Sequence, residues 1–142
     1  QLNGMVDYMK RRASNRVLFM FHHKEDEYIP VLISPPLFDW VIENLLKNAL
    51  DAMDGKGTIE IVLTEDASQI FIDISDTGKG IQKHQFNKIF KPGFTTKKRG
   101  WGLGLTLTKR IVEQYHKGQI FVLWSEVNKG TCFRIVLPKG GY

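Results

Sequence analysis

The chain has 142 residues, a hydrophobic share of 42% and a formal net charge of +5, which fits one globular domain with a single core. Its one cysteine, Cys132, excludes an internal disulfide and a multi-cysteine zinc site, and no apolar run approaches the ~20 residues that span a bilayer, so no membrane contact is expected of this domain. The positive charge suits phosphate, nucleic acid or an acidic protein partner, but the densest basic cluster is only Lys97-Lys98-Arg99.

No secretory-signal pattern is visible. The chain begins with Gln1, not Met, and is expected to be a piece of a longer protein. Residues 1–12 read as the end of a polar helix or a connector, with one domain over 13–142. Val17 to His22 has strand character, Lys24 to Glu27 is turn-like, and Tyr28 to Ile33 is a second short strand candidate. Ser34-Pro35-Pro36 is a helix start, because Ser can cap free N–H groups and Pro is tolerated in the first turn. That helix runs to about Met53, with Leu37, Trp40, Val41, Leu45 and Ala49 as its apolar stripe. Gly55 and Gly57 end it.

A hairpin is expected next, from Ile59 to Thr64 and from Ile70 to Ser75, turned at Glu65 to Ser68. Ile70, Ile72 and Ile74 share a face, and Asp76 continues that row if the strand continues. Ile81 to Phe90 suggests a short helix, and Lys91 to Gly102 a loop rich in Gly, Thr and Lys. A second long helix is expected from about Leu103 to Lys117, with Leu105, Thr108, Ile111, Val112 and Tyr115 facing in and Gly118 as its stop. The chain closes with a hairpin, Gln119 to Trp124 and Thr131 to Leu137, turned at Asn128-Lys129-Gly130. Asp76 and Thr131 both fall on the interior side of their strand ends. Cys132, within a strand, reads as a buried structural thiol.

Three motifs carry chemistry. Asn44 and Asn48 are one helical turn apart beside apolar neighbours. They are either satisfied core amides or a support and an oxygen ligand for magnesium, a hard cation that keeps several waters. Asp76-Thr77-Gly78-Lys79-Gly80 is either a simple turn or a site where Asp76 accepts the amino proton of adenine and glycines allow close approach. Gly100, Gly102 and Gly104 before a helix are either a flexible connector or a phosphate-binding segment. GWGLGL lacks the features of a P-loop, a dinucleotide fold or a eukaryotic-type kinase loop. No Ser or Cys has an evident His partner, and His22, His23, His84 and His116 lack metal-ligand spacing. The aromatic and basic residues are not interleaved, which argues against nucleic acid as a partner.

As an ordered set, these residues resemble the catalytic ATP-binding domain of bacterial two-component sensor histidine kinases, within the superfamily shared with gyrase, Hsp90 and MutL. The resemblance covers about Val17 to Pro138. It implies an α+β fold, a two-layer α/β sandwich of the Bergerat type, with a mixed sheet of about five strands and three main helices on one face. Glu43-Asn44 through Asn48 matches the N box, Asp76 to Gly80 the first glycine box, Phe90 to Phe94 with Thr95-Thr96-Lys97 the F box, and Gly100 to Leu105 the second glycine box. The resemblance implies ATP and magnesium as cofactors. It implies nucleotide contacts from Asn44, Asn48, Asp76, Gly78, Gly80, Ile81, Phe90, Thr96, Lys97, Gly100, Gly102, Leu103, Gly104, Leu105 and Thr131. Asn48 is the implied magnesium ligand, and Asn44 and Lys97 are the catalytic candidates.

Two departures shape the functional expectation. Gyrase-like relatives carry a water-activating Glu four residues before the magnesium Asn; here that position is Asn44, an amide that cannot act as a base. Glu43 points about 100° round the helix. No phosphoacceptor His is recognisable, and His22-His23-Lys24-Glu25 does not match one. The resemblance thus implies transfer of the γ-phosphoryl group to a His on a separate dimerisation module, then to an Asp of a response regulator receiver domain. It implies a cytoplasmic domain whose parent could be anchored in the inner membrane. The rival readings are a self-contained ATPase and a degenerate interaction module.

Overall fold

Residues that recur at every second position of an extended segment share one face, and this alternation builds the sheet. The computed structural model describes residues 2, 4–5, 7, 17–22, 34–54, 56–91 and 104–139. Among them five strands form one mixed sheet: β1 (Val17–His22), β2 (Gly57–Glu65), β3 (Gln69–Asp76), β4 (Gln119–Glu126) and β5 (Gly130–Pro138), in the order β1-β2-β3-β5-β4. β1 runs parallel to β2 and the other neighbours are antiparallel. A parallel pair needs a crossover, and helix α1 (Pro35–Ala52) lies in it. The predicted α+β sandwich with a mixed five-stranded sheet is therefore the observed one. The strand candidate Tyr28 to Ile33 lies outside the described residues.

One sheet face is apolar. Ile59 and Ile61 of β2, Ile70, Ile72 and Ile74 of β3, and Phe133, Ile135 and Leu137 of β5 are buried with Val41, Ile42, Leu45, Leu46 and Ala49 of α1 in one cluster. Leu2 belongs to the same cluster, so the N-terminal helical residues pack onto the domain. The opposite face carries Asp73 and Arg134, register partners joined by two 2.7 Å hydrogen bonds. Arg134 also lies over the Phe71 ring at 5.1 Å. Among the described residues no helix is long and apolar enough to cross a membrane.

Four expectations need correction. Ser34 precedes α1 but its side chain makes no capping bond; Pro35 and Pro36 carry no N–H, so the first turn has fewer donors to satisfy. α1 ends at Ala52, and among the described residues the left-handed one that follows is Asp54, at φ 56°, while Gly57 already opens β2 and Gly55 lies outside the described residues. Ile81 to Phe90 is not one helix but two 3₁₀ turns, Lys83–Gln85 and Lys88–Phe90. Ile89 and Phe90 are buried, whereas most of the earlier positions are exposed. A short segment with so little burial does not offset the cost of starting an α-helix.

The fourth correction concerns the second helix. Its α-helical part, α2, spans Gly104–Arg110 and continues as a π-helical turn over Ile111–Tyr115. The wider turn closes with His116 N–H donating to the Ile111 carbonyl at 3.2 Å. The extra residue rotates the later side chains. Tyr115, expected inside, is 64% exposed, and His116 is buried in its place. His116 accepts the Ser34 N–H on Nε2 at 3.0 Å and lies 3.0 Å from the Ile111 carbonyl through Nδ1, which ties the two helices together.

Cys132 is free and buried, as the strand position implied. Burial first, then the neighbouring Asp73, pushes its thiol up to about 12. Native protein at pH 8 is therefore expected to react with a disulfide reagent at least ~100-fold more slowly than protein unfolded in urea; equal rates would contradict the buried placement.

Candidate functional site

Two clusters of motif residues meet along one face of α1. The first lies at the ends of β3 and β5. Asp76 is the last residue of β3 and pairs in register with Thr131. Both are buried, Asp76 at 6% exposure. Oδ1 of Asp76 accepts the Gly78 N–H at 2.8 Å, and the Thr131 backbone N–H is a second donor to the carboxyl group. Burial outweighs these two bonds and pushes the Asp76 carboxyl up to about 6.

The turn after β3 is stitched on both sides. Lys79 donates its N–H to the Ala52 carbonyl at 3.0 Å, and its carbonyl accepts the Asn128 N–H at 2.8 Å. Gly78 packs so closely on the end of α1 that a Cβ there would stand 2.6 Å from the Ala52 backbone. Gly80 backs onto the Glu126 carbonyl. Ile81 donates its N–H to Ser125 Oγ at 2.7 Å. Ser125 is also 2.9 Å from the Gly130 carbonyl and 2.8 Å from Thr131 Oγ1.

The second cluster joins α1 to α2. Asn44 is buried and donates Nδ2–H to Thr108 Oγ1 at 3.0 Å. Thr108 in turn donates to the Gly104 carbonyl at 2.7 Å. A Cβ on Gly104 would stand 2.8 Å from Asn44 Oδ1. Leu105 is half-buried and packs against the core. Phe90 is buried, edge-on to Phe133 with ring centroids 6.1 Å apart, and Lys109 Nζ sits over it at 5.4 Å. The Phe90 carbonyl accepts the Thr106 hydroxyl at 2.9 Å.

Helix α1 links the two clusters. Asn44, Asn48 and Ala52 are successive turns of one face, about 6 Å apart along the axis. Asn44 meets Gly104 and Ala52 meets Gly78, so half-buried Asn48 stands between the two glycine segments. Asn44 with Gly104 and Ala52 with Gly78 thus flank the Asn48 turn of α1, with Asp76, Gly80, Ile81 and Thr131 around the Gly78 end, while Phe90 packs against α2, of which Leu105 is a residue. Thr96, Lys97, Gly100, Gly102 and Leu103 lie outside the described residues. Glu43 forms a 3.3 Å ion pair with Lys47 on the partly exposed side of the helix.

The chemistry of this region fits an adenine nucleotide. A buried carboxylate suits a base amine, and segments without Cβ atoms suit close approach of a ligand. Among the described residues no group of three His, Cys, Asp or Glu could hold a metal. Sequence reasoning missed Ser125, and it named Thr108 only as a core position. Counting back across the β4–β5 hairpin places Ser125 opposite Thr131, a signal that was available but carries no motif.

Residues 34–141 match the family model for histidine kinase-, DNA gyrase B- and HSP90-like ATPases. Sporulation kinase A of Bacillus subtilis (strain 168) is 43% identical over 99 residues, which is 70% of this chain and 16% of that protein. Sensor histidine kinase ZraS of Escherichia coli (strain K12) is 34% identical over 137 residues, 96% of this chain and 29% of that protein. The chain therefore spans less than a third of the length of these relatives. A nucleotide-free structure of the catalytic domain of histidine kinase ThkA is similar with a TM-score of 0.84 at 28% identity, covering 96% of this chain and 89% of that one.

Two predictions test the geometry. The folded Asp76 carboxyl, at about 6, lies above its ordinary value of 3.8, so the native state binds this proton more tightly than the unfolded state. That contribution is fully present below about pH 4 and is lost as pH rises through 6, a difference of about 3 kcal/mol at most. Asp76→Asn is expected to unfold at higher urea than wild type at pH 7.5, with the gap closing near pH 4; a gap of opposite sign would contradict the burial. Thr108→Val leaves the buried Asn44 amide without its acceptor and should lower stability by about 1–3 kcal/mol in the same assay.

Proposed function

Because this chain belongs to the histidine kinase-, DNA gyrase B- and HSP90-like ATPase family, we propose that it binds ATP with magnesium and donates the γ-phosphoryl group to a histidine. That histidine sits on a separate dimerisation and phosphoacceptor module of a sensor histidine kinase, from which an aspartate of a response regulator receives the phosphoryl group. The observation that carries this reading is the face of α1 that meets Gly104 at Asn44 and Gly78 at Ala52, with Asn48 between.

Each residue has a role in the proposal. Asp76 accepts a hydrogen from the adenine amine, and Thr131 stands beside it. Gly78, Gly80, Ile81, Phe90 and Leu105 line the nucleotide. Gly100, Gly102, Leu103 and Gly104 take the phosphates on backbone N–H groups, Thr96 donates its hydroxyl to them, and a cation among Lys97, Lys98 and Arg99 neutralises them. Asn48 offers its amide oxygen to magnesium, which supplies charge neutralisation for a reaction that is mostly positioning. Residues 1–12 connect to the phosphoacceptor module. The domain acts on the cytoplasmic side of a parent that could be anchored in the inner membrane.

Asn44 weighs against a self-contained ATPase. Its amide cannot abstract a proton from water, and it is held by Thr108 and packed against Gly104. Neighbouring Glu43 is paired with Lys47. Turnover of ATP by this chain alone is therefore expected to be slow, and robust hydrolysis would favour the rival.

Calorimetric titration with a non-hydrolysable ATP analogue tests the proposal. Wild type should bind more tightly with magnesium than without. Asp76→Asn should weaken binding by about tenfold or more, the loss of a hydrogen bond to a charged group. Asn48→Ala should erase most of the magnesium dependence. Equal affinity in wild type and Asp76→Asn would remove Asp76 from the site, and an absence of binding would leave only an interaction module.

A further inference from the structure

The Ser125 side chain touches both the turn after β3 and Thr131, and its three partners fix its hydrogen. A serine hydroxyl has one hydrogen and two acceptor lone pairs. The Ile81 N–H, 2.7 Å away, can only donate to Ser125 Oγ. The Gly130 carbonyl, 2.9 Å away, can only accept from it. The remaining lone pair faces Thr131 Oγ1 at 2.8 Å. All three contacts are satisfied together only if Thr131 donates its hydroxyl hydrogen to Ser125.

That arrangement decides what Thr131 shows to its other neighbours. Its hydrogen is committed to Ser125, so toward Asp76 and the space in front of the strand ends it presents lone pairs only. The bonding of Asp76 agrees, because the donors to its carboxyl are the backbone N–H groups of Gly78 and Thr131, not the Thr131 hydroxyl. Asp76 and Thr131 are register partners. Two acceptors therefore stand side by side with no donor of their own to offer.

We propose that Ser125 is a positioning residue that sets base specificity: by holding the Thr131 hydroxyl hydrogen it leaves Thr131 and Asp76 as a pair of acceptors that admits a 6-amino purine and repels a 6-oxo purine. This inference rests on the nucleotide reading above. A 6-amino group brings two hydrogens to such a pair. A 6-oxo purine sets its O6 lone pairs against these lone pairs and offers a single hydrogen, on N1, so at least one buried acceptor stays unpaired, and a site built around one hydrogen-bond polarity rejects the opposite one. Without Ser125, the Thr131 hydroxyl is free to turn and donate to a 6-oxo group.

The test is a ratio of affinities, which a general loosening of the fold does not move. Non-hydrolysable analogues of ATP and ITP are titrated calorimetrically into wild type, Ser125→Ala and Ser125→Thr. Wild type is expected to favour the adenine analogue by about tenfold or more. Ser125→Ala should cut that preference at least about fivefold, and Ser125→Thr, which keeps the hydroxyl, should retain it. If Ser125→Ala does not fold, Ser125→Cys replaces it, since a thiol of similar size is a poor hydrogen-bond partner. An unchanged ratio in the hydroxyl-free variant overturns the inference, as does a wild type that binds both analogues equally; in both cases the nucleotide reading survives. A wild type that binds neither analogue overturns that reading and the inference with it.

Discussion

The close approach of two backbone segments to α1 is the constraint on which the rest of this structure depends. Gly104 stands against the Asn44 amide and Gly78 against the Ala52 backbone, at separations that leave no room for a Cβ. Neither contact comes from the hydrophobic core. The core holds α1 on the sheet through Val41, Ile42, Leu45, Leu46 and Ala49, and this fixed helix then gives the two glycine segments a common surface. Hydrogen bonds lock the arrangement at both ends. The Lys79 N–H bonds to Ala52 at one end, and the Asn44–Thr108–Gly104 chain does so at the other.

Against this rigid frame stands a group that the fold alone would not favour. A carboxyl buried as Asp76 is resists ionisation, and its two backbone donors only partly compensate. Such a residue is a local conflict between stability and something else, and proteins place these conflicts where they bind or react. Its neighbours point the same way. Thr131, Ser125 and the Ile81 N–H form a connected polar set in which each hydroxyl has partners. A satisfied network of this kind orients its members more firmly than single contacts do.

Much of this was legible from the chain. The every-second-residue rhythm of Ile70, Ile72 and Ile74 fixed the inward face of β3, and extending it by one step placed Asp76 inside. The same count placed Thr131 on the inner side of β5. The ordered motifs, from Asn44 and Asn48 through Asp76 to Gly104, carry the family's signature in the chain itself. What escaped the reading depends on geometry that local pattern does not encode. The π-helical turn adds a residue to the repeat, so counting by 3.6 put Tyr115 inside and left His116 out. Ser34 looked like a helix cap, but two prolines had removed donors from the first turn. Ser125 has no motif of its own, and its meaning arises only from which strand lies opposite.

β1 has an implication for where this unit ends. The match to the family model begins at residue 34, after β1 is complete. Yet Phe19 of β1 is in the core, and the strand pairs with β2 from Val17↔Gly57 to His22↔Val62. A fragment trimmed to the matched stretch would strip the sheet of its first member. The amide and carbonyl groups of β2 that now face β1 would be bared beside Ile59 and Ile61, a ready template for another chain to dock on. β1 is therefore an integral member of this sheet, and a fragment cut at residue 34 invites self-association through a newly made edge.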